Sequence, residues 1–163
     1  MKKLLILSAL ITLVADVSIA QANPDDVKSP DTVIEAFYDV ISGPAGPRDW
    51  DRFKNLFCEG ATINSVSQTL EEEMYRSGTI HDYINGTSDL FSRSSFYEWE
   101  LGRKTHELGS LVQVFSAFEC KLADKMVQTG VNSIQMVKVE GRWRIANLTF
   151  NTHDKSLIEH YFK

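Results

Sequence analysis

Three polar residues stand out in the stretch GVNSIQMVKVEGRWRIANLTF, residues 130–150. Asn132, Asn147 and Thr149 interrupt a pattern that otherwise reads as two alternating strands. If they face inward, they would orient a polar group on a bound molecule or satisfy one another. A buried amide without a partner costs about 1–3 kcal/mol. Arg103 is the one charge on an otherwise aromatic strand face. Other chemical groupings carry less. His81 and Asp82 fit the first turn of a helix, where Asp82 completes a capping box with Thr79. The four histidines, His81, His106, His153 and His160, fall at helix starts, turns or the tail. Glu71, Glu72 and Glu73 read as a solvated charge run rather than metal ligands. Serine-hydrolase, phosphate-loop and dinucleotide signatures are absent, and no cofactor or metal is expected. Cys58 and Cys120 are the only cysteines. They could pair in an oxidising compartment, but spacing alone does not decide it.

These residues are positioned by two long hairpins. Glu140-Gly141 is a natural turn. It pairs Lys138 with Trp143, Met136 with Ile145, Ile134 with Asn147 and Asn132 with Thr149. Opposed side chains share a face, so Asn132, Asn147 and Thr149 join Ile134, Met136, Trp143 and Ile145. The reverse face then carries Val137, Ala146, Leu148 and Phe150. A turn at Leu108-Gly109 places Trp99 opposite Phe118, Tyr97 opposite Cys120 and Arg103 opposite Val114, with Glu98 and Glu100 on the reverse side. The two hairpins agree on one inner face if the "ADK" connection has three residues or a bulge.

Upstream, the periodicity is helical. Ser29 and Pro30 open a helix whose apolar positions are Val33, Ile34, Phe37 and Ile41. Gly43, Pro44, Gly46 and Pro47 end it. Asp49 caps a second helix carrying Trp50, Phe53, Leu56 and Phe57. "GATINSV" is a short strand, "SQTLEEEMYRSG" a polar connection, and "TIHDYINGTSDLFSR" a third helix. The chain of 163 residues opens with Lys2, Lys3, an apolar run Leu4–Val14 and the small-x-small site Ala20-Gln21-Ala22. Residues 1–22 are therefore expected to be a secretory signal peptide. A flexible lead-in, 23–28, and one domain, 29–163, would follow. The protein would be exported from a bacterial cell, to the periplasm or beyond. The chain carries a net charge of −5 and no long basic run, so no nucleic-acid partner is expected, nor a stable membrane span.

The pieces "FYDVISGPAGPRDWDRFKNLFCEGATI", "FYEWELGRKTHELGSLVQVFSAFE" and "GVNSIQMVKVEGRWRIANLTF" give the chain its resemblance to the nuclear transport factor 2-like superfamily, in particular its secreted SnoaL-like members. The resemblance implies an α+β cone, with three helices in the concavity of a curved, mostly antiparallel sheet, a ligand pocket, and frequent dimerisation through the sheet. Superfamily enzymes place Asp or His inside the cone, and many carry His where this chain has Asn147 and Thr149. The leading expectation is an exported binder of a small apolar molecule. Tyr38, Phe57, Tyr83, Trp99 and Phe118 would form its walls, and Asn132, Asn147 and Arg103 would orient the ligand. A lyase, isomerase or hydrolase of the SnoaL-like kind, using Arg103 or Tyr97 to stabilise an enolate, is the alternative. A dimeric accessory protein with a filled cone is a third. The outer apolar patch would carry a homodimer. Whether there is catalysis turns on residues 96–108. Glu98 facing inward in place of Trp99 would favour an enzyme, because a carboxylate against an apolar wall makes a base near neutral pH.

Overall fold

The computed structural model describes residues 23–68, 72–123 and 126–163. The expected leader, Glu71 of the glutamate run, and Asp124 and Lys125 lie outside them. Three helices come first: α1 (Pro30–Ile41), α2 (Trp50–Asn55) and α3 (Ile80–Arg93). Between α2 and α3 run β1 (Phe57–Gln68) and β2 (Glu73–Thr79). Four long strands follow: β3 (Phe96–Leu108), β4 (Leu111–Leu122), β5 (Met126–Val139) and β6 (Arg142–Thr152), then α4 (Lys155–Phe162). The strands form one open sheet in the order β2-β1-β6-β5-β4-β3, antiparallel throughout except for β1 beside β6. Helices and a curved, mostly antiparallel sheet give the expected α+β class.

Local signals explain the helices. Ser29 caps α1 and shares a capping box with Thr32, which satisfies amide donors that the first turn leaves unpaired. Val33, Ile34, Phe37 and Ile41 of α1 are all buried, each contributing about 1.5–3 kcal/mol by leaving water. Thr79 and Asp82 form the predicted capping box of α3. The SGPAGP segment is fixed by Arg48, whose guanidinium donates to the carbonyls of Ile41, Gly43, Pro44 and Gly46.

Phe57 opens β1 instead of extending α2, and the first hairpin turns at Gly109-Ser110, one residue later than expected. Three further parts of the chain differ from the sequence reading. The polar connection after β1 contains β2, which pairs with β1 from Thr62 opposite Thr79 to Gln68 opposite Glu73. As an edge strand, β2 needs little apolar patterning, so its alternation does not show. The lead-in holds a 3₁₀ turn, Pro24–Val27. It is anchored by buried Val27 and by Asp26, which accepts from Arg52 at 2.8 Å. The tail forms α4, which buries Ile158 and sets Tyr161 edge-on to Phe115 on the outer sheet face.

The hairpin turns are Gly109-Ser110 and Glu140-Gly141, with Gly109, Glu140 and Gly141 at positive φ. β4 and β5 pair without interruption from Leu111 opposite Val137 to Leu122 opposite Met126. The three residues left between them are the connection length that gives the two hairpins a common inner face. Two β-bulges then decide which side chains face inward. The β3–β4 register shifts between Glu100 and Gly102. The β5–β6 register shifts between Gln135 and Met136, so that Met136 meets Ile145 but Gln135 meets Asn147. One extra residue reverses the facing of everything beyond it. Leu148 thus turns into the core, where it is 1% exposed. The expected outer patch loses Leu148 and Phe150, both of which border an interior cavity.

Candidate functional site

The start of β3 is pinned to the end of α1. Gly43 and Phe96 exchange two backbone hydrogen bonds, at 2.7 and 3.0 Å. The Ser42 hydroxyl then donates to the Glu98 carbonyl at 3.1 Å and accepts from the Glu98 amide at 3.0 Å. With the bulge at Leu101, this register points Glu98 and Glu100 inward, opposite Cys120 and Phe118.

The two carboxylates have different surroundings. Glu100 accepts twice from Arg103, at 3.0 and 2.6 Å, and from the Ser116 hydroxyl at 2.5 Å. Arg103 also reaches Asp31 of α1 at 2.6 Å. Among the described residues no cation pairs with Glu98. Its Oε1 accepts a single hydrogen bond, from the Asn132 amide at 3.1 Å. The same amide donates to the Tyr38 hydroxyl at 3.2 Å, and that hydroxyl lies 2.7 Å from Ser116 Oγ. Ser116 spends its one proton on Glu100, so Tyr38 is the donor to Ser116. Buried Asn132, Tyr38 and Ser116 thus satisfy one another and tie both glutamates into one network.

Glu98 also borders a cavity of about 200 Å³ between α1, α3 and the sheet. Phe37, Tyr83, Phe91, Phe96, Phe118 and Phe150 are among its walls; buried Asn132 and half-buried Glu98 are polar groups on its lining, and Glu98 also borders an open groove between α1 and β3. Typical ligand pockets hold ~300–1,000 Å³, so this one fits a small molecule. Burial pushes the Glu98 carboxyl up to about 7, opposed only by the hydrogen bond from Asn132. Burial also raises the Tyr38 and Tyr83 phenols and lifts the Cys120 thiol to about 11. Cys120, although on the cavity wall, is therefore a neutral thiol and no nucleophile at pH 7. Both cysteines are free.

No protein-family model and no curated protein matches the chain. Solved structures do. A nuclear transport factor 2-like protein of unknown function from Pseudomonas putida is 12% identical, with 78% of this chain and 87% of that chain covered at a TM-score of 0.59. Another such protein, from Silicibacter pomeroyi, is 14% identical, with 76% and 92% covered at a TM-score of 0.51. The chain has the nuclear transport factor 2-like fold. A provisionally assigned scytalone dehydratase from Novosphingobium aromaticivorans also matches. It is 15% identical, with 64% and 71% covered and a TM-score of 0.50.

Within this nuclear transport factor 2-like cone, six of the ten residues expected at the site lie inside and four do not. Tyr83, Phe118 and Asn132 line the cavity. Tyr38 and Arg103 belong to the polar network behind it, and Phe57 is buried core. Four residues fall elsewhere. Tyr97 and Trp99 point outward and are 44% and 41% exposed, because the Leu101 bulge reverses that half of β3. Asn147 and Thr149 lie on the outer face, because the Ala146 bulge reverses that half of β6. There Asn147 donates to Thr62 at 2.8 Å and accepts from Thr149 at 3.3 Å. The sequence reading puts Glu98 and Glu100 on the reverse face, while naming an inward Glu98 as the mark of an enzyme; it puts Leu148 and Phe150 on the outer face and does not single out Ser116. One signal was available: the apolar spacing Trp143, Ile145, Leu148, Phe150 changes parity at Ala146.

Proposed function

We propose that the chain is a SnoaL-like lyase or isomerase that moves a proton on a small, largely apolar substrate, with Glu98 as general base. One observation carries this reading: a carboxyl with no cationic partner among the described residues, raised to about 7, borders an aromatic cavity. Such a group is partly ionised at neutral pH and more basic than a surface carboxylate, which suits it to abstracting a carbon-bound proton. A binding role alone would use the aromatic walls and Asn132 but would leave Glu98 as a cost to stability without a return.

The reading is tested with 5-nitrobenzisoxazole, a small planar probe that opens when a base removes its ring C–H proton. Turnover should rise with pH about a midpoint near 7 and vanish in Glu98→Gln. Equal turnover in the variant would defeat the assignment. Export to the periplasm or beyond is part of the proposal and rests on the leader pattern of residues 1–22. So is a homodimer through the outer sheet face, now supported by exposed Tyr97 and Trp99 rather than by Leu148 and Phe150. Light scattering that finds only monomer at micromolar concentrations would reject the dimer.

A further inference from the structure

The geometry points to a second ligand site, on the opposite side of the sheet from the Glu98 cavity. It lies between α4 and the outer sheet face, and it takes an uncharged, mainly aliphatic molecule carrying one carbonyl or hydroxyl oxygen. It is independent of the proposed base.

The helix α4 does not lie flush on the sheet. It buries Ile158 alone, while Leu157 and Tyr161 remain 53% and 48% exposed. A space of about 450 Å³ is left beneath it, against about 200 Å³ in the interior cavity. That volume falls within the ~300–1,000 Å³ of typical ligand pockets. Val66, Phe115 and Val131 of the sheet form its floor, and Leu157, Ile158 and Phe162 of α4 its roof. Apolar surface on both sides of such a space stays hydrated until something fills it, which favours an apolar occupant. The helix itself is lightly held. Lys104 donates to the Tyr161 carbonyl and sits 4.2 Å from the centre of the Tyr161 ring, but at the other end Asp154 makes no side-chain cap. An element with so few contacts is one that a ligand beneath it would steady.

The lining decides the ligand's polarity. It holds no Asp, Glu, Lys or Arg, and a carboxylate brought in without a partner would lose its hydration uncompensated. Three polar groups on it retain hydrogen-bonding capacity. The side chains of Asn151 and His153 make no hydrogen bond with any described residue. Neither is among the sealed atoms without partners, so open space reaches them. Ser133 accepts from Gln113 at 3.1 Å and still has its proton to give. Thr149, by contrast, is satisfied by Asn147 and Asn64. Asn151 pairs with Val131, two residues from Ser133, so the amide and the hydroxyl flank one stretch of the floor. One such polar patch in an apolar lining suits a single oxygen on the ligand.

The rings decide its shape. In the interior cavity Phe91 and Phe96 stack 26° from parallel. Under α4, Tyr161 meets Phe115 at 74° and Phe162 at 75°. Edge-on rings among valine, leucine and isoleucine side chains leave no parallel slot for a flat molecule, and a flexible chain packs against them better.

The test uses 2-nonanone, an aliphatic chain with one carbonyl, and nonanoate, a chain of the same carbon number ending in a carboxylate. Affinity is measured by calorimetry on the full chain, and the site is located by amide hydrogen exchange. In the wild type, 2-nonanone should bind and slow exchange in α4 about tenfold while leaving α3 unchanged. Nonanoate should bind at least about tenfold more weakly. Leu157→Trp, at a half-exposed position on the roof, should fill the space and weaken 2-nonanone at least about tenfold. A wild type that binds no 2-nonanone overturns the proposal. So does slowed exchange in α3 with none in α4, which would place the probe in the interior cavity. Nonanoate binding as tightly as 2-nonanone, or Leu157→Trp binding 2-nonanone as tightly as the wild type, overturns it as well. None of these outcomes touches Glu98, whose probe turnover is read separately.

Discussion

Replacing Glu98 with Gln should make the protein more stable above neutral pH and leave it nearly unchanged in acid. The carboxyl is raised from 4.5 to about 7 by burial, so the folded state holds its proton over a range where the unfolded chain has released it. Stability that depends on this proton is fully present below the unfolded value. It is lost as pH rises through the folded one, because the native state binds more protons across that window. At about 1.4 kcal/mol per pH unit, the loss reaches about 3 kcal/mol. Water in the cavity would screen the charge and bring it nearer 2 kcal/mol. Gln keeps the shape and an oxygen to accept from Asn132, so the variant lacks only the charge. Urea unfolding of both proteins from pH 4 to 9 measures the difference, and the histidines, common to both, cancel. The stability gap should open between about pH 4.5 and 7 and then stay level. A gap that does not change with pH, or a wild type that gains on the variant as pH rises, would refute the reasoning.

Further outcomes follow from the same contacts. Asn132→Leu removes the one donor that the Glu98 carboxyl has among the described residues, and the donor to Tyr38. It should cost about 1–3 kcal/mol in urea unfolding and push the Glu98 midpoint higher still. Gly130→Ala would drive its new methyl into the Asn151 carbonyl and the Phe118 ring. Since that backbone cannot yield, a thermal melt should show a loss of about 1–3 kcal/mol. If the proposed export holds, mass analysis of protein expressed with residues 1–22 in a bacterium should find Asn23 at the mature N-terminus. An intact Met1 would remove the case for export.

Much of the fold could be read from the sequence because its signals are local. Ser29, Pro30 and the glycine-proline segment after Ile41 bound α1, Thr79 and Asp82 open α3, and Glu140-Gly141 makes its hairpin. The inner face near the second turn was also legible, since Met136, Trp143 and Ile145 need only the turn to set their register. The site itself was obscured by two bulges. Alternation predicts facing only while the ladder is unbroken. Leu101 and Ala146 each break it once, which exchanges Tyr97 and Trp99 for Glu98 and Glu100, and Asn147 and Thr149 for Leu148 and Phe150. Gly102 inside a strand is a weak mark of the first bulge. Nothing in the local sequence gives the pull of Ser42 and Gly43 on β3, which is a tertiary contact. Asn132 was placed correctly because it lies on β5, whose pairing with β4 is unbroken.

Glu98 acts in the proposed chemistry as a base poised near neutral pH, and its carboxyl can be titrated directly. Infrared difference spectra of the wild type against Glu98→Gln isolate that one carboxyl band as pH is raised. The structure predicts a protonated band that gives way to carboxylate with a midpoint near 7. A midpoint in the ordinary range of about 4–4.5 would contradict it.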